Sequence, residues 1–85
     1  MEIQLKFFAS LRESLGTSGE TVILPAGVVT AGDAQVFLRS RGGVWAEALA
    51  EGKSVRIACN QQMVNASAPL TDGCELAFFP PVTGG

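Results

Sequence analysis

The sequence ends in Glu75-Leu76-Ala77-Phe78-Phe79-Pro80-Pro81-Val82-Thr83-Gly84-Gly85. From Leu76 to Phe79 the segment is apolar in both phases of a strand, the pattern of a central strand covered on both faces. Pro80 and Pro81 end it, because neither has an N–H for a ladder and the pair favours an extended exit. The neighbours of this strand must therefore come from earlier in the chain.

Ile3, Leu5 and Phe7 alternate with Glu2, Gln4 and Lys6, which predicts a first strand with one wet face. Phe8 breaks the alternation and puts a large ring on the wet side. Ser10-Leu11-Arg12-Glu13 reads as a capping box opening a short helical loop, with Leu11 and Leu15 paired and Gly16 as the stop. Glu20 to Leu24 predicts a second strand, paired with the first and halted by Pro25 and Gly27.

Thr30 is expected to cap the main helix, which runs to about Arg41 with Asp33 in its first turn and Ala34, Phe37 and Leu38 inward; Gly42-Gly43 would terminate it. Gly32 weakens the first turn. A second short helix would place Trp45, Ala48 and Leu49 inward. Lys53 to Asn60 alternates again with Val55, Ile57 and Cys59 toward the core, Gln61 to Val64 reads as a short edge strand, and Pro69 to Gly73 marks a turn. Five strands and one main helix, with the last strand central, give an α+β protein: a mixed sheet wrapped on that helix, the ubiquitin-like β-grasp arrangement. Residues 1–79 form this domain and residues 80–85 an extended tail.

Composition narrows the chemistry. Among 85 residues there is no histidine, so His-based nucleophile pairs, His-ligated zinc and a histidine general base are excluded. No metal site is expected, and the chain is not expected to be an enzyme on its own. Six basic against eight acidic residues leave a net charge of −2, which gives no electrostatic footprint for nucleic acid. Hydrophobic residues make up 47% and charged residues 16% of the chain, so apolar surface is expected to meet a protein partner. No run is long enough to span a membrane, the alternating start is unlike a secretory signal, and a cytoplasmic protein is expected. Cys59 and Cys74 are isolated and read as reduced, buried thiols.

The Gly84-Gly85 end has a physical use. Glycine has no Cβ, so an extended pair can thread a narrow channel and leave the terminal carbonyl open to attack. The carboxylate itself, with a reference pKa of about 3.5, is a poor electrophile at neutral pH and needs activation; adenylation by ATP supplies the leaving group. From Pro80 to Gly85 the tail reaches at most about 20 Å, enough to enter a partner's active site while the body docks outside. By phase, Ala77 and Phe79 face outward while Leu76 and Phe78 face the helix, which puts Phe79 on the same face as Phe8. Met63 is positioned to extend that patch.

Phe7-Phe8-Ala9-Ser10-Leu11-Arg12-Glu13, Leu24-Pro25-Ala26-Gly27, Ala58-Cys59-Asn60-Gln61, Leu70-Thr71-Asp72-Gly73 and the stretch from Ala77 to Gly85 together resemble the small, sulfur-carrying subunits of molybdopterin synthase. The resemblance covers nearly the whole chain, and its last block is the most specific. It implies a carrier whose Gly85 is adenylated by an E1-like enzyme using ATP and converted to a thiocarboxylate, with no permanently bound cofactor. The sulfur would come from a cysteine desulfurase or rhodanese-like protein. Docked on the large synthase subunit in a heterotetramer, the carrier would give sulfur to cyclic pyranopterin monophosphate.

The resemblance also implies that Pro80, Pro81, Val82, Thr83 and Gly84 thread the partner, and that Phe8, Arg12, Met63 and Phe79 contact it. Three features depart from the family pattern: Cys74 stands where an acid is common, Ala31 and Ala34 replace larger apolar residues, and Gly32 joins them. Val28, Val29 and Trp45 are then expected to fill the space. Competing readings are a sulfur carrier for thiamine thiazole synthesis, a ubiquitin-like modifier of lysines, and a passive interaction module.

Overall fold

The computed structural model describes residues 1–80. Its elements are β1 (Glu2–Phe7), α1 (Ala9–Leu15), β2 (Gly19–Ile23), α2 (Ala31–Arg39), α3 (Gly43–Ala48), β3 (Arg56–Cys59), β4 (Gln62–Val64) and β5 (Glu75–Phe79). The strands form one sheet in the order β2-β1-β5-β3-β4. β5 runs parallel to β1 and antiparallel to β3, so the sheet is mixed and the last strand is its centre, as the apolar run from Leu76 to Phe79 predicts. This is the expected α+β β-grasp arrangement.

Alternation in β1 buries Ile3, Leu5 and Phe7 against the helices and leaves Glu2, Gln4 and Lys6 outside. Leu76 and Phe78 bury on the same inner side, beside Leu38 of α2, Leu11 of α1 and Leu49 after α3. The Phe7 ring stacks on Phe78 at 5.9 Å and meets Trp45 edge-on at 5.4 Å. Each such aromatic contact adds about 0.5–1.5 kcal/mol beyond its buried area.

Helix α2 carries the expected cap: the Asp33 N–H donates to Thr30 Oγ1 at 3.1 Å, and Asp33 Oδ2 accepts from the Thr30 N–H at 3.1 Å. Those bonds, led by one from the Val29 N–H, hold the half-buried Asp33 carboxyl below the usual range. Gly32 has a use that its low helix propensity hides. Its N–H donates to Ala66 O at 2.8 Å, and a Cβ there would lie 3.0 Å from Ala66. Together with the fully buried Ala31 and Ala34, it lets the 65–70 loop approach the helix closely.

Five expectations need correction. The Ser10–Glu13 capping box does not form: Ala9 turns to φ +52°, which starts α1 early, makes Phe8 the N-cap and places Ser10 inside the helix. Gly42 and Gly43 do not terminate α2, which ends at Arg39; Gly42 opens α3. Val29 fills no core space, being 52% exposed, whereas Val28 and Trp45 do pack on the core. β3 begins only at Arg56, because the Val55 N–H turns back to Lys53 O at 2.9 Å. Cys59 is half-buried rather than fully enclosed, while Cys74 is buried.

Candidate functional site

The register fixes what the helix-free face of the sheet presents. Lys6 pairs with Ala77, Ala77 with Ala58, and Ala58 with Met63, so small side chains line the middle of the face and Met63 stands at its far edge. Ala58 and Ala77 are buried even though no helix covers them. One step along, Phe79 faces Arg56.

Phe8 joins Phe79 through the backbone. Its N–H donates to Phe78 O at 3.2 Å, so the chain stays extended beside β5 for one residue beyond β1 before Ala9 turns it into α1. The two rings then stack at 4.8 Å with planes only 5° apart. Phe8 remains 39% exposed and Met63 56% exposed. The structure thus brings Phe8 and Phe79 into one aromatic platform at the point where β5 gives way to the tail, with Met63 two strands away across the alanine floor. Arg12, on α1, lines the same cleft as Phe8. Pro80 is half-buried and lines a separate cleft with Ser10 and Lys53; the other threading positions, Pro81, Val82, Thr83 and Gly84, and the terminal Gly85 lie outside the described residues.

The alanine floor and Arg56 are features that sequence reasoning passed over. Their signal was present in the phase: Ala58 and Ala77 occupy outward positions of two adjacent strands. What the phase does not reveal is that both are buried on a face no helix covers.

The titratable groups serve structure. Glu20 accepts two hydrogen bonds from Arg41, at 2.6 and 3.0 Å, and that pairing draws its carboxyl below the usual range and raises the guanidinium. Arg41 also lies 4.4 Å over the Trp45 ring, tying β2 to the α2–α3 corner. Burial, then the neighbouring Cys74 thiol, pushes the Cys59 thiol up, opposite to what a nucleophile needs. No cluster of three His, Cys, Asp or Glu side chains suited to a metal occurs among the described residues. No helix among them is long and apolar enough to cross a membrane.

A mixed five-stranded sheet with its terminal strand at the centre, helices on one face and an aromatic platform on the other defines a ubiquitin-like protein. Residues 5–85 match the model of the ThiS family, and the chain belongs to that family. It is 43% identical to the molybdopterin synthase sulfur carrier subunit of Escherichia coli (strain K12), over 98% of this chain and 99% of that protein. Its identity to the subunit of the same name from Haemophilus influenzae is 37%, with the same coverage. Among solved structures it resembles SAMP1 from Haloferax volcanii, a small archaeal modifier protein, with a TM-score of 0.79 and 27% identity over the whole of both chains.

Proposed function

We propose that this chain is a sulfur carrier of molybdenum cofactor biosynthesis, acting in the cytoplasm as the small subunit of a molybdopterin synthase. One observation carries the reading: the strand locked into the sheet centre ends beside an exposed aromatic platform and leads directly to the Gly84-Gly85 end. Near-full-length identity to two molybdopterin synthase sulfur carriers supports this reading over a thiamine pathway.

In the proposed sequence, an E1-like enzyme joins the Gly85 carboxylate to the α-phosphate of ATP and releases pyrophosphate. The outer sulfur of a persulfide-bearing donor displaces AMP to form an acyl disulfide, and a second thiol then attacks the donor's inner sulfur, forming a disulfide with it and releasing the Gly85 thiocarboxylate. Inside the large subunit this end gives its sulfur to cyclic pyranopterin monophosphate and returns to the carboxylate. Two such transfers build the dithiolene. The chain contributes the reactive terminus, its reach and the docking surface, while acids, bases and the nucleotide site belong to its partners. Phe8, Arg12, Met63 and Phe79 make the contact, and residues from Pro80 to Gly84 thread the active site.

Intact-mass analysis after incubation with the activating enzyme, ATP and a sulfur donor tests the assignment. An oxygen-to-sulfur mass gain that disappears with Gly85 deleted, followed by molybdopterin formation on adding the large subunit and precursor, is the expected result. An unchanged mass overturns it. The likeness to SAMP1 favours a second role as a lysine modifier; conjugates dependent on Gly85 in immunoblots would establish that role.

A further inference from the structure

The six basic side chains fall into two groups. Lys6 and Arg41 are held by Glu75 at 3.2 Å and Glu20 at 2.6 Å, whereas Arg12, Arg39, Lys53 and Arg56 have no carboxylate in ion-pair contact among the described residues. Of these four, Arg56 has the most telling position. It opens β3 directly opposite Phe79, on the helix-free face, and is exposed. Arg12 lies on the other side of the ring pair, in the cleft it shares with Phe8. Two guanidinium groups therefore bracket one aromatic platform. Lys53, by contrast, lies away from the platform, in a cleft with Ser14, Val44 and Glu47.

A partner that covers the platform brings a low-dielectric surface over Arg56. A guanidinium losing its water beside apolar surface is costly unless a carboxylate meets it, and its planar fork suits a bidentate carboxylate. Among the described residues no carboxylate is ion-paired with Arg56: Glu75 pairs with Lys6 and Glu20 with Arg41, while Glu2 and Asp72 lie at the opposite end of the sheet, where Asp72 accepts from the Glu2 N–H at 2.7 Å. We propose that Arg56 is an electrostatic docking residue: the surface that covers Phe8 and Phe79 is an apolar recess with an acidic rim, whose carboxylate engages Arg56 and speeds encounter. The proposal rests on the docking role assigned above and adds the chemistry of the partner's rim.

Association of the full chain with the large synthase subunit, followed by stopped flow at about 50 mM and about 500 mM salt, tests it. Arg56→Glu is expected to associate about tenfold more slowly at low salt and within about twofold of the parent at high salt, with Arg56→Gln in between. Equal association rates for Arg56→Glu and the parent at low salt would overturn the proposal. Unchanged thermal melting of both variants confirms that folding is not what moves. Phe79→Ala separates the two levels of the argument. If it weakens binding while Arg56→Glu does not, the acidic rim is wrong and the docking face stands; if the parent chain does not bind at all, both fall.

Discussion

Replacing Phe8 with alanine separates docking from folding. The ring is 39% exposed, so of roughly 200 Å² of accessible area about 80 Å² still faces water and is available to a partner. At about 25 cal/mol per Å² its covering contributes about 2 kcal/mol, or roughly 30-fold in affinity. In the isolated chain the same substitution removes one stacked pair, about 0.5–1.5 kcal/mol, which lowers the melting temperature by several degrees. Titration calorimetry against the large subunit, with circular-dichroism melting of the free variant, measures both quantities. Because Phe79 stacks face to face on Phe8, Phe8→Ala and Phe79→Ala should be non-additive in binding, the second loss costing less than the first. An affinity change below about threefold in a folded Phe8→Ala variant would refute the area argument and the docking role of the platform.

Three further outcomes follow from the geometry. Ala9→Gly should stabilise the chain by about 0.5 kcal/mol in urea unfolding, since glycine relieves the left-handed backbone at φ +52° but adds freedom to the unfolded state. Glu20→Gln should cost no more than about 1 kcal/mol at neutral pH, the pair with Arg41 being partly exposed. Because the Glu20 carboxyl is depressed in the folded state, that difference is fully present above the ordinary glutamate range and vanishes as pH falls through the folded value, which paired unfolding curves at neutral and acid pH will show. Cys59 should alkylate more slowly than a free thiol at neutral pH and recover ordinary reactivity in denaturant, as timed iodoacetamide labelling followed by mass spectrometry will show.

Much of this architecture is legible from local pattern. The period-2 alternation of Ile3, Leu5 and Phe7, the Thr30–Asp33 cap and the apolar run of β5 each reflect chemistry contained within a few residues, so the sequence predicts them. The convergence of Phe8 and Phe79 was likewise a matter of phase. What escaped was set by distant neighbours. Ser10 has the right spacing for a cap, but the bond from the Phe8 N–H to Phe78 O carries the chain along β5 and moves the turn to Ala9. The tight turn at Asn60 and Gln61, both at positive φ, depends partly on Asn60 Oδ1 accepting from the Glu75 N–H at 3.0 Å, a contact invisible to any short window. Gly32 looked like a weak helix residue until the 65–70 loop was seen against it. Arg56 looked like an ordinary polar residue of a strand until its place opposite Phe79 was known.

The central position of β5 carries a consequence for biogenesis. Its partners β1 and β3 are both synthesised before it, and neither is paired to the other without it. A nascent or prematurely truncated chain therefore holds two half-sheets with a gap between them, and the domain closes only when β5 is inserted. A chain missing that segment lacks Phe79 and so cannot build the Phe8–Phe79 ring pair.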